Sequence, residues 1–213
     1  MRHVQASGPY LVAGWSLGGM IAYEIASQLL AAGEEVGFVG MIDTGSSPHL
    51  REELLASEAD FDECHALMRW IADLQSPGGD VRQHPAHAEL MTCAERGDVD
   101  AMIAVSQREA LLPAHLDMAL MKRVLAVYRA GATAAVEYEA PPTATTVTYF
   151  AADRGEGEDV SFGWGELLGE RLEVMRIGGS HASIVKAPRI EKLAREIARR
   201  LRRRSPSAEL SSV

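Results

Sequence analysis

The sequence predicts an α/β fold, a mostly parallel sheet flanked by helices and interrupted by one helical insertion. Three observations predict it. Residues 10–43 read strand, helix, strand, the pattern of a βαβ unit whose crossover is expected to be right-handed. Residues 46–113 place apolar side chains only at helical spacing. Residues 145–151 and 172–177 then return to β-branched and alternating patterns, each followed by a loop. A chain of 213 residues suits one domain with an insertion, here 1–204 with the insertion at 46–113 and a polar, disordered tail at 205–213.

In chain order, Tyr10-Leu11-Val12-Ala13 is a short apolar run that meets Gly14-Trp15-Ser16-Leu17-Gly18. Ile21, Ile25, Leu29 and Ala32 follow at helical spacing, and Gly33 stands where a C-terminal cap belongs. Residues 36–43 (VGFVGMID) are almost continuously apolar, as expected of a strand buried on both faces of a parallel sheet. Asp43 ends that strand on the same edge as Ser16, and ligands of open α/β sheets bind at that edge. In the insertion, Leu67, Trp70, Ile71 and Leu74 keep helical spacing, as do Met102 and Ile103. Breaks fall at residues 76–80 and at Gly97-Asp98. Because it leaves the sheet beside Asp43, this insertion is expected to act as a lid. Residues 114–137 form a longer helix (Leu116, Leu120, Val124, Val127), stopped by Pro141-Pro142. The strand at 145–151 is followed by Asp153, a short helix or loop occupies 163–169, and the strand at 172–177 leads into Gly178-Gly179-Ser180-His181. Pro188 opens a terminal helix.

Composition excludes several classes. The 47% hydrophobic and 24% charged fractions are those of an ordinary globular protein. Net charge is −9, yet residues 192–204 set seven Lys and Arg against Glu196, a local +6 that leaves −15 for the remainder. An acidic body argues against a nucleic-acid function. The first residues hold no apolar secretion segment, and no eighteen-residue apolar run exists, so no membrane association is expected and the cytoplasm is the default location. Cys64 and Cys93 lack metal-ligand or disulfide spacing, and His84-Pro-Ala-His87 has no completing ligand, so no metal is expected.

The chemistry centres on Ser16. G-x-S-x-G arises by composition alone in roughly one chain in ten of this make-up, so the pentapeptide by itself is weak. Between a strand and a helix it is a nucleophile elbow, a tight turn in which both flanking glycine positions are expected to require a minimal side chain. The serine then sits at a helix N-terminus, where developing negative charge is stabilised. A serine hydroxyl needs a positioned base, and that base needs an orienting carboxylate. Of seven histidines, only His181 follows a core strand and precedes a helix. Asp43 and Asp153 both end strands at the correct edge, and spacing does not choose between them.

Gly8-Pro9-Tyr10, Gly14-Trp15-Ser16-Leu17-Gly18-Gly19, the 27-residue step from Ser16 to Asp43-Thr44, and Gly178-Gly179-Ser180-His181 with Lys186-Ala187-Pro188 resemble thioesterase domains of non-ribosomal peptide and polyketide synthetases. The resemblance runs from about residue 5 to 201. It implies an α/β-hydrolase fold and a Ser16–His181–Asp43 triad. It further implies attack of Ser16 on an acyl thioester borne by the phosphopantetheine of a carrier protein, then release by water or by ring closure. It implies as well that the enzyme itself needs no cofactor. The Leu17 N–H is implied as oxyanion donor, and Trp15 flanks the substrate. Stand-alone editing thioesterases and other esterases place the acid after the next strand, which keeps Asp153 as the alternative. A non-enzymatic reading is a fragment that only docks a carrier protein. The family carries several strands before the nucleophile strand. The expectation is therefore an N-terminally incomplete domain whose Tyr10 strand lies at a sheet edge, to be completed by an upstream domain or a second copy.

Overall fold

The computed structural model describes residues 3–56, 62–75 and 81–204. The predicted tail at 205–213 and the break at 76–80 lie outside the described residues. The chain forms two compact units, residues 1–46 with 139–213, and residues 47–138.

The first unit opens with β1 (Tyr10–Trp15), α1 (Leu17–Ala31) and β2 (Val36–Ile42). The second unit follows with α2 (Ser47–Ala56), α3 (Glu63–Gln75), α4 (His87–Glu95), α5 (Val99–Arg108) and α6 (Met118–Glu137). The chain then returns to the first unit through β3 (Val147–Ala151), α7 (Trp164–Leu168), β4 (Leu172–Arg176) and α8 (Arg189–Arg204).

Among the described residues the sheet is fully parallel, in the order β1-β2-β3-β4. This α/β architecture is the one the sequence predicts. The two inner strands explain the composition: every residue of β3 is buried, and so is all of β2 except Gly37. β1 and β4 are edge strands with partly exposed faces, and Leu11 on β1 is 52% exposed. The register places Trp15 opposite Ile42 and Ile42 opposite Phe150, so β1, β2 and β3 stop in one row. Whatever follows each of them emerges at one edge, about 4.8 Å from its neighbour.

α1 ends as its sequence signals. Gly33 takes φ 77°, and Gly33 N–H and Glu34 N–H donate to the carbonyls of Leu30 and Leu29. One side of the sheet is covered by Ile184 and Leu193, which join Phe38, Ile42, Phe150 and Ile177 in one buried cluster. Fully burying a side chain such as Phe150 stabilises the fold by roughly 1.5–3 kcal/mol. Trp164 of α7 is completely buried, packs 5.2 Å from the Tyr23 ring and donates its indole N–H to Thr44 O.

The second unit has its own core, built from Leu67 and Ile71 of α3, Leu90 of α4, Met102 and Ile103 of α5, and Met121 and Leu125 of α6. This unit extends beyond the expected insertion boundary at residue 113, because α6 buries Met121 and Leu125 in the insertion's core. α6 also begins later than its apolar pattern suggests. Asp117 caps it by accepting from Leu120 N–H at 2.7 Å, so residues 114–116 stay outside the helix. Cys64 is buried and Cys93 partly buried, both as free thiols. No described helix is long and apolar enough to cross a membrane.

Candidate active site

Ser16 sits between the end of β1 and the start of α1, with φ 57° and ψ −130°, a backbone geometry uncommon for a residue bearing a side chain. Its N–H donates to Ile42 O at 2.9 Å, and its carbonyl accepts from Gly19 N–H and from Thr44 Oγ1. These bonds lock the turn, leaving the hydroxyl at the N-terminus of α1. Leu17 opens the helix, and its N–H belongs to the first turn, whose amides lack intrahelical acceptors.

The steric demands of the turn correct one expectation. A Cβ on Gly14 would collide with Gly18 O and the Gly19 N–H, as expected, and a Cβ on Gly19 would strike Thr44 Oγ1. A Cβ on Gly18, by contrast, meets nothing within 4 Å. The second crowded position is therefore Gly19, because it is Gly19 that packs against the end of β2. Gly14→Ala is expected to cost roughly 1–3 kcal/mol by overpacking. Gly18→Ala should stay within about 0.5 kcal/mol of the parent. Urea unfolding of the two variants checks the contrast.

Asp43 emerges from β2 one strand away. It is fully buried, adopts φ 47°, and donates its N–H to Phe150 O at 2.9 Å. One carboxylate oxygen, Oδ2, lies 2.8 Å from His181 Nδ1, and His181 Nε2 lies 3.1 Å from Ser16 Oγ. An ionised carboxylate only accepts, so Nδ1 carries the proton and Nε2 is left to accept from the serine hydroxyl. The other oxygen, Oδ1, accepts from Ala152 N–H at 3.0 Å and from Arg154 Nη2 at 2.7 Å.

His181 rides on a loop entered through Gly178 and Gly179, at φ 94° and 81°. Trp15 holds it from β1. The indole stacks on the imidazole at 4.9 Å between ring centroids, and its N–H donates to His181 O at 3.1 Å. Asp153, the alternative acid, is placed elsewhere: Oδ2 accepts from Gly179 N–H, and its own N–H donates to Gly179 O, each at 2.6 Å. Thus Ser16, His181 and Asp43 come together, while Asp153 ties down the loop that carries the histidine. Sequence reasoning missed Arg154 and Trp164, which meet Asp43 Oδ1 and Thr44 O at the end of β2. No local pattern marks either of them.

Tyr149 of β3 is fully buried, next to Asp43 and Arg154. Burial pushes the phenol well above the ordinary tyrosine range. The charge of Asp43 adds to this and that of Arg154 opposes it. A raised folded-state value gives stability that is fully present below the unfolded phenol, near pH ~10, and fades as pH climbs toward the folded value. Tyr149→Phe is expected to flatten the alkaline fall in Tm above about pH 10. Thermal melts across that range check it.

The second unit contains an acid-lined cleft of about 510 Å³ between Glu63, Asp98, Asp100 and Lys122. It holds no serine–histidine pair. Among the described residues no group of His, Cys, Asp and Glu side chains is arranged to bind a metal ion.

A parallel sheet with a serine on a tight strand–helix turn at its carboxyl edge is the architecture of an α/β-hydrolase-type domain, and comparisons with known proteins agree on the fold. A family model, the thioesterase domain, matches residues 1–201. The chain belongs to that family, whose members are hydrolases acting on thioesters. It is similar to the non-reducing polyketide synthase atnG of Arthrinium sp., 29% identical over 92% of this chain and 9% of that protein. It is also similar to the nonribosomal peptide synthetase ucdA of Aspergillus ustus, at 24% over 96% of the chain and 22% of that protein. The chain thus spans less than a quarter of the curated relatives it matches. Among solved structures, holo-AB3403, a four-domain nonribosomal peptide synthetase bound to AMP and glycine, superposes with a TM-score of 0.76 at 28% identity, covering 93% of this chain and 15% of that one.

Proposed function

We propose that this chain releases an acyl or peptidyl group from the phosphopantetheine thioester of a carrier protein, through Ser16, His181 and Asp43. The observation that supports this reading is the continuous line of contacts from Ser16 Oγ through the imidazole to a fully buried carboxylate. In the proposed reaction His181 Nε2 takes the Ser16 proton as Oγ attacks the thioester carbonyl. The tetrahedral oxyanion accepts from the Leu17 N–H; as it collapses the C–S bond breaks and Nε2 gives the proton to the departing thiolate. Asp43 holds the imidazole in the required tautomer and balances its charge. Water, or a nucleophile within the acyl chain itself, then repeats the cycle on the Ser16 ester and gives a free acid or a ring.

Trp15, 40% exposed at the mouth of this edge, is the proposed wall for the acyl group. The helical unit, whose chain leaves the sheet just after Asp43, is the proposed lid. The carrier protein is the proposed partner, in keeping with the multidomain relatives, and the cytoplasm is the proposed site of action. The test is intact-mass analysis after incubation with an acyl thioester of a pantetheine mimic. A gain of one acyl mass on the native chain, absent from Ser16→Ala, is the expected result. An unchanged mass on both would sink the reading and leave carrier docking as the function to examine.

A further inference from the structure

Asp43 is a carboxylate with no access to solvent, and its two oxygens face different partners. Oδ2 meets His181. Oδ1 meets the Ala152 N–H and the guanidinium of Arg154, whose side chain is 15% exposed. A buried ion without a counter-charge is costly. Arg154 is the cation that compensates it.

Arg154 is itself held in place. Its guanidinium lies over the Phe162 ring, 4.0 Å from the centroid. Phe162 is presented by a turn that Asp159 organises, accepting from Ser161 N–H, Ser161 Oγ and Gly163 N–H. Phe162 keeps φ 54°, an uncommon backbone geometry for an aromatic residue, and its carbonyl accepts from Ser46 N–H near the end of β2. The loop after β3 thus builds an aromatic shelf, the shelf orients the guanidinium, and the guanidinium fixes one oxygen of Asp43. The ionisable groups around the carboxylate are His181, Arg154 and the Tyr149 phenol.

We propose that Arg154 is a positioning residue: it neutralises buried Asp43 and fixes its rotation so that Oδ2 points at His181 Nδ1. This rests on the triad reading above. A carboxylate released from Arg154 loses the orientation that His181 needs, and misplacement of a reacting group by about 1 Å costs on the order of 10²-fold in rate.

Turnover of the pantetheine-mimic thioester by the native chain, Arg154→Met, Arg154→Lys, Asp43→Asn and the Arg154→Met/Asp43→Asn double variant tests it. Arg154→Met is expected to lower kcat by about 10²-fold with KM unchanged. Arg154→Lys, which keeps the charge and loses the stacked fork, should restore part of that loss. With Asp43→Asn already present, Arg154→Met should cause no further loss, because its action runs through the carboxylate. Equal losses with and without Asp43, or a change confined to KM, would overturn the proposal. Ser16→Ala separates it from the triad reading: turnover that survives Ser16→Ala defeats the triad, whereas turnover that needs Ser16 but ignores Arg154 defeats only the positioning role. Thermal unfolding gives the same cycle without activity. Arg154→Met should lower Tm more in the native chain than in the Asp43→Asn chain, and equal drops would count against the pair.

Discussion

Ser16→Ala is expected to lower thioester turnover by about 10⁶-fold, to the level that binding and oxyanion donors sustain unaided. The size follows from the division of roles. Without Oγ there is no acyl-enzyme, and His181 Nε2, 3.1 Å from that atom, has no proton to remove. Truncating one half-buried hydroxyl leaves the turn intact, because the turn is held through the Ser16 N–H and carbonyl. A Tm equal to that of the native chain, with labelling by a fluorophosphonate abolished, checks both halves. Persistent labelling at another serine would show that the elbow is not the reactive site.

The second large effect separates the two acids. Asp43→Asn is expected to cost about 10⁴-fold in kcat, since an amide offers an N–H where Nδ1–H must donate and so favours the wrong tautomer. It also leaves Arg154 beside a neutral group. Asp153→Asn is expected to stay within about tenfold, because the amide oxygen still accepts from Gly179 N–H at the same place. Rates for the two variants on one substrate decide it. A larger loss from Asp153→Asn would move the acid to the end of β3 and revive the editing-type reading.

Much of this was legible in the chain because it is local. β1, the turn and α1 are adjacent in sequence, so pattern and glycine spacing point directly to Ser16. The buried run at residues 36–43 marks β2 by its lack of polar positions. The choice of acid was not legible from spacing, since Asp43 and Asp153 both follow strands that end in one row. In the structure His181 reaches Asp43 and Gly179 reaches Asp153, which supports Asp43 as the proposed acid. Arg154 was invisible because it meets a residue 111 positions away and belongs to no motif. Gly18 was misjudged because a pattern cannot say which glycine faces Thr44. The end of the insertion was misplaced for a similar reason: the periodicity of α6 shows that it has an apolar face, and only packing shows that Met121 and Leu125 turn that face to the other helices.

The amides of Ser16 and Asp43 are the last rungs of the sheet's own ladder, donating to Ile42 O and Phe150 O. Two of the three proposed catalytic groups are therefore frozen when the sheet forms, and their ordering entropy is spent on folding and not at each turnover. The third, His181, hangs from two glycines and is steadied by Trp15 and Asp153. Among these three groups, whatever adjustment the proposed reaction demands falls on the imidazole, moving against two groups whose backbones are fixed.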